Sequence, residues 1–166
     1  MEAGSIKHKV YIQQIEEAAA YGLNKDLIRQ AVIETLKSEG AQIPCVVSIL
    51  ITDDNGIKKF NCDYRDVDSA TDVLSFPMQE FTHAGWSGLK KIEVDEDTGE
   101  LPLGDIVISM ETVNRQAEDY KNTTDYETAY LLIHSTLHLL GHEHYSKENE
   151  KLMHDKCKAV IKETGL

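Results

Sequence analysis

Apolar residues recur along this chain with two different periods, and the switches between them mark its elements. Leu27, Ile28, Ala31, Val32 and Leu36 fall at helical spacing behind Asn24, a good N-cap, and the pattern runs to Gly40. Cys45–Thr52 is a continuous apolar and β-branched stretch, which predicts a buried strand. Asn55-Gly56 follows, the strongest short hairpin signal, so Ile57–Cys62 is expected to return as its partner strand. Val73–Phe76 predicts a short strand stopped by Pro77, and Gly104–Ser109 predicts another. Val10–Ile15 fits either a first strand or the start of a helix and is assigned as a strand. Ser109 is a cap for a helix reaching Tyr120. Thr124 with Glu127 reads as a capping box, opening a helix whose apolar stripe is Ala129, Leu132, Ile133, Thr136, Leu137 and Leu140. Ser146 caps a last helix to about Ile161, and residues 78–100 carry neither period and predict a long irregular loop.

Helices and strands alternate irregularly, with one hairpin, which predicts the α+β class: a small mixed sheet packed against several helices. The chain of 166 residues is expected to form a single domain, 1–166, burying about two-thirds of its unfolded surface. Met1–Ser5 is set aside from this fold argument. No apolar run approaches the roughly 20 residues that span a bilayer. Met1–Lys9 lacks the apolar stretch of a signal peptide, which points to the cytoplasm and to no membrane partner. Cys45, Cys62 and Cys157 are odd in number and form no CxxC pair, so reduced thiols are expected.

Charge changes the picture of partners. Asp and Glu number 29 against 17 Lys and Arg, a net charge of -12, which counts against a nucleic-acid partner. Much of the acid sits in local runs, especially Glu93–Glu100, read as a solvated loop. Lys58, Lys59, Arg65, Lys90, Lys91 and Arg115 lie elsewhere, and a bound cation would make its own site more positive. Composition leans away from RNA without excluding it.

The chemistry concentrates in one run, His134-Ser135-Thr136-Leu137-His138-Leu139-Leu140-Gly141-His142-Glu143-His144. His134 and His138 lie four apart, on one face of a helix. Gly141 can take the left-handed conformation that ends a helix, and the reversal brings His144 or His142 back beside the pair. Three converging imidazoles suit a transition metal, most often zinc, with one coordination position open, as in a catalytic site. His8, His83 and His154 are read as surface or satisfied core histidines. With His144 as the third ligand the spacing matches the zinc-protease motif HExxHxxGxxH, but Ser135 stands where that motif has its glutamate base. A serine cannot accept a proton at neutral pH, which argues against peptidase activity.

His134–His144 resembles the signature HGxLHLxGYDH of the YbeY-type endoribonucleases, metal-dependent enzymes of ribosomal RNA maturation. Further stretches match in order: Asp63-Tyr64-Arg65, then Thr71–Pro77, then Leu103–Ser109. Ser135 replaces a glycine of the signature, His142 a tyrosine and Glu143 an aspartate. The resemblance implies one zinc ion, or another divalent transition metal, on His134, His138 and His144. It implies Arg65 as the catalytic arginine beside that metal. It also implies a single-stranded rRNA precursor as substrate, cut toward the 3′ end of the small-subunit RNA. Ser75, Asp105 and Arg115 are candidates for the cleft. His142 is a possible competing ligand, and Glu143 a neighbour that orients a ligand or acts as base. An RNA 2′-hydroxyl is an alternative nucleophile. Ribosomal proteins or assembly factors are candidate partners that deliver the RNA to an acidic protein. Two rival readings remain: a non-catalytic ribosome-assembly or RNA-binding factor whose structural metal takes His142 as fourth ligand, and a metallohydrolase of another bond.

Overall fold

The computed structural model of the chain describes residues 6–166; Met1–Ser5, set aside above, lie outside them. Strands β1 (Lys9–Gln14), β2 (Cys45–Thr52), β3 (Val73–Pro77) and β4 (Leu101–Ser109) form one sheet in the order β1-β2-β4-β3. The first two and β4 run parallel, and β3 pairs antiparallel with β4 at the edge. Helices α1 (Lys25–Ser38), α2 (Asp54–Arg65), α3 (Met110–Tyr120), α4 (Thr124–Leu139) and α5 (Lys147–Glu163) complete the domain. This is the α+β architecture expected.

Strand periodicity decides where the core sits. In β2 the side chains of Cys45, Val47, Ile49 and Ile51 are buried on one face, where they join Leu27, Val32 and Leu36 of α1 and the apolar residues of α4 and α5. The opposite face carries Leu50, Leu74, Phe76 and Val107, and only α2 packs there, through Ile57 and Phe60. One face is therefore sealed and the other half covered. Cys45 and Cys157 lie in the sealed core, where burial pushes their thiols up to about 12, and Cys62 is exposed. All three are unpaired. No helix among the described residues is long and apolar enough to cross a membrane.

The hairpin expected at Asn55-Gly56 does not form: residues 54–65 are helical. A two-residue hairpin of that kind needs positive φ at both central residues, and neither Asn55 nor Gly56 has it. Asp53 instead caps the helix, its Oδ1 accepting from Gly56 N–H at 2.9 Å. Ile57, Phe60, Asn61 and Tyr64 then fall three and four apart, a helical face that the turn signal overshadowed. Tertiary pairing agrees, because β2 has parallel neighbours on both sides and no edge left for a returning strand. The cap of α4 is also one residue off. Thr123 accepts from Tyr126 N–H, while the Thr124 hydroxyl donates to Asn114 Oδ1 at 3.0 Å.

Residues 78–100 are irregular as expected, with one short 3-10 turn at Trp86–Gly88 and a bridge between Phe81 and Leu89. This loop braces the end of α4. Gly85 N–H donates to Leu140 O at 2.9 Å, and Phe81 packs so closely on Gly141 that a Cβ there would lie 2.7 Å from it.

Candidate metal centre

Helix α4 ends where its sequence asks it to. Gly141 adopts φ +88, a value that favours glycine, and its N–H donates to His138 O while His142 N–H donates to Leu137 O, both at 3.0 Å. The chain reverses there and returns His144 to the helix face. His138 Nε2 then lies 3.0 Å from His134 Nε2 and 3.1 Å from His144 Nδ1. One nitrogen from each of the three rings falls within 4.8 Å of the other two. Nitrogens bound tetrahedrally at the usual zinc distance stand about 3.3 Å apart, so this donor set fits a zinc-sized ion.

Electrostatics favours the neutral rings that ligation needs. Burial, reinforced by the charges of His138 and His144, pushes His134 down to about 4, and burial likewise lowers His138. His138 Nδ1 lies 2.8 Å from the backbone oxygen of His142 and donates to it. The other ring nitrogen, Nε2, therefore presents its lone pair to the cluster. The pKa shift of His134 has a consequence for stability. The unfolded chain takes a proton near pH 6.5 that the folded chain refuses until about pH 4. Stability of the metal-free protein should therefore be full above about pH 6.5, fall through that window, and level off below it. Melting temperatures in chelator across pH 4–7.5 check this, with His134→Asn expected to flatten the slope; an unchanged slope in that variant would refute it.

His142 does not join the cluster. Its imidazole is buried and donates to Glu39 at the end of α1, which also receives Lys156 Nζ at 2.8 Å. Burial alone would raise the Glu39 carboxyl, but the hydrogen bonds from His142 and Lys156 overcome it and hold the group below its ordinary range. This trio, with His142 and the Glu39 carboxylate buried and Lys156 half-buried, anchors the turn whose carbonyl orients His138. The possible competition of His142 as a ligand is thus corrected by geometry.

The histidines open onto a cleft of about 930 Å³. Arg65 reaches it from the end of α2, donating from Nη2 to Ser75 O at 2.6 Å on the outer strand β3. Arg65 is thus the last residue of a helix, where the expected hairpin would have put it after a strand. Ser75 lines the cleft; Asp105 and Arg115, also expected there, do not. Asp105 points to the opposite sheet face beside Phe76, because alternation along β4 puts Ile106, not Asp105, toward the core. Arg115 is held at 2.8 Å by Asp54 on the α2–α3 side. Glu143 is exposed; outside the main cleft, it lines a smaller hollow with His138 and His144 and another with Gly141, and its charge opposes the lowering of His138.

The cleft also contains residues that the sequence reading left out. Tyr130 stacks near His134, with ring centroids 6.5 Å apart, and its hydroxyl lies 2.6 Å from His154 Nδ1. Lys147, Lys151 and His154 line the same wall. Their spacing of i, i+4 and i+7 was a legible basic stripe on the last helix. His8 and His83 lie apart from the cluster: His8 is buried and accepts from Cys45 N–H at 3.0 Å, and His83 is exposed.

Ser135, at the glutamate position of the protease motif, is fully buried, and its hydroxyl has no hydrogen-bond partner among the described residues. An unpaired buried hydroxyl costs about 1–3 kcal/mol. Ser135→Ala should therefore melt no lower than the parent protein and keep its reaction rate within about twofold. A large loss of rate with metal retained would make Ser135 part of the chemistry.

Fold and site together define a class: a single α+β domain that presents three convergent imidazoles at a helix end, in an open cleft with an arginine on its rim. Comparison with known proteins identifies its family. The family model described as Endoribonuclease YbeY matches residues 10–165. The Endoribonuclease YbeY of Caldanaerobacter subterraneus subsp. tengcongensis is 42% identical over 140 residues, covering 84% of this chain and 87% of the relative. That of Caldicellulosiruptor bescii is 36% identical over 159 residues, covering 95% and 98%. The chain belongs to the endoribonuclease YbeY family. A Thermotoga maritima protein solved in solution shares the fold, with TM-score 0.59, 24% identity, and coverage of 93% of this chain and 88% of that one.

Proposed function

We propose that this protein is a metal-dependent endoribonuclease that cleaves single-stranded precursors of ribosomal RNA in the cytoplasm, with zinc as its metal. The observation that carries this reading is the convergence of His134, His138 and His144 in an open cleft that Arg65 also enters. Zinc held by the three histidines would supply a water of lowered pKa and charge neutralisation at a phosphate oxygen. The chain's own groups do the rest. Arg65 is exposed at the rim, free to give paired hydrogen bonds to a phosphate whose charge grows during cleavage. Lys147 on α5 adds a cation to the cleft that draws the RNA backbone despite the net charge of -12, while Lys151 beside it is paired with Asp155 at 2.8 Å. The His142 carbonyl keeps the His138 ring oriented. Ribosomal proteins or assembly factors are the partners that fit delivery of RNA to so acidic a protein.

The rival of a structural metal with four protein ligands is disfavoured because Glu39 engages His142. The reading is tested by metal content per chain, by elemental analysis of protein purified without a metal-affinity step. It is tested also by cleavage of a single-stranded rRNA fragment with the ends mapped. About one ion per chain and defined ends support it; absence of metal from folded, RNA-inactive protein defeats it.

A further inference from the structure

The half-covered face of the sheet holds a second hollow, of about 570 Å³, that the metal chemistry does not use. Aromatic rings surround it: Tyr11 on β1, Phe60 and Tyr64 on α2, and Phe76 on β3. Tyr11 and Tyr64 are 54% and 67% exposed, although a helix lying over the whole face would have covered them. The rings are ordered against one another. Phe60 and Tyr64 stack at 6.1 Å with planes 16° apart, and Tyr64 meets Phe76 edge-on at 5.4 Å.

The polar groups of the hollow choose among ligands. Gln13, Ser48 and Asp105 contribute an amide, a hydroxyl and a carboxylate, and none of the lining residues is cationic. A carboxylate repels a phosphate, but it accepts hydrogen bonds from the N–H groups of a nucleobase edge. Flat apolar walls with acceptors on the floor therefore suit an uncharged heterocycle.

The hollow and the metal cleft lie on opposite faces of the sheet and approach each other only around its edge strand β3, where Arg65 stands beside both. Phe76 belongs to the hollow and its chain neighbour Ser75 to the cleft. Arg65 joins them, with Nη2 on Ser75 O at 2.6 Å and its guanidinium 5.4 Å from the centre of the Phe76 ring. We propose that this hollow is a base-stacking subsite, in which unpaired bases next to the scissile phosphate leave Arg65 and stack on Tyr11, Tyr64 and Phe76. The proposal rests on the endoribonuclease reading and deepens it. Only unpaired bases can enter, since bases in a duplex have their faces covered, so the subsite selects single strands. It also lets a strongly acidic protein hold RNA through its bases as well as its phosphates.

The test is steady-state cleavage of a single-stranded oligoribonucleotide carrying 2-aminopurine beside the cut site, whose fluorescence is quenched on stacking. For the double variant Tyr11→Ala/Tyr64→Ala, KM should rise about tenfold or more, kcat should change much less, and the quenching should be lost. Both truncated side chains are largely exposed, so the fold should survive, and melting curves with metal content check it. Tyr11→Phe/Tyr64→Phe keeps the rings and should restore KM. Tyr120→Ala, which removes a tyrosine 63% exposed on α3 and outside both hollows, is the control. A double alanine variant with wild-type KM and quenching overturns the subsite while leaving the enzyme reading intact. Wild-type protein that loads metal but neither binds nor cuts RNA overturns both.

Discussion

His138→Ala is expected to lose its metal and its RNA cleavage together, while remaining folded. His138 is the central member of the cluster, its Nε2 within 3.1 Å of a nitrogen from each of the other two rings. Its second nitrogen is fixed by the His142 carbonyl, so the ring is oriented before any ion arrives. Removing it leaves two ligands, one of them on the turn after Gly141, and zinc sites of this kind need three protein ligands. A fall of roughly a thousandfold or more in metal affinity should bring the metal per chain near zero. Cleavage should fall below detection, since the remaining groups cannot generate a nucleophile at neutral pH. The surrounding core of Leu132, Leu137, Leu139 and Leu140 stays intact, and circular dichroism should report a folded protein. Wild-type metal content or cleavage in this variant would remove the three histidines from the mechanism.

Arg65→Ala is expected to separate the two properties that His138→Ala loses jointly. Arg65 touches Ser75 and the Phe76 ring, and its hydrogen bond goes to a backbone oxygen of β3, not to a histidine. Metal content should therefore be unchanged. In the proposed mechanism its guanidinium meets the charge that develops on the phosphate, and loss of one such donor costs about a hundredfold to a thousandfold in kcat. Arg65→Lys should recover only part of that rate, because an ammonium is a single point of charge and cannot give the planar pair of hydrogen bonds. Elemental analysis and kcat on the same preparations decide it. A rate within a few-fold of wild type would show that Arg65 takes no part in cleavage.

Elements defined by a long periodic pattern were legible. The five apolar positions from Leu27 to Leu36, the run Cys45–Thr52 and the stripe along α4 all came out as read. The error fell at Asn55-Gly56, where a strong local turn signal competed with a short helical face of three or four residues. A helix cap and a hairpin turn use the same small polar residues, and only the pairing of β2 with β1 and β4 decided between them. The cleft was half legible. The spacing of the histidines paired His134 with His138 and left His142 or His144 as the third, and the structure brings the His144 nitrogen to the pair. Asp105 and Arg115 were misplaced because their side depends on strand register and on the partner Asp54, neither of which local spacing encodes.

By itself, then, the sequence determined what short-range geometry controls: a helix bearing two imidazoles one turn apart, a glycine that reverses the chain, and a third imidazole within reach. Those features depend on backbone dihedrals over about ten residues, which residue type dictates. Tertiary structure alone decided which way His142 turned, which wall Arg65 joined, and which face of the sheet stayed open. Each of these is set by contacts between residues far apart in the chain, such as Glu39 with His142, Arg65 with Ser75, and the placing of α2 over only half of the sheet.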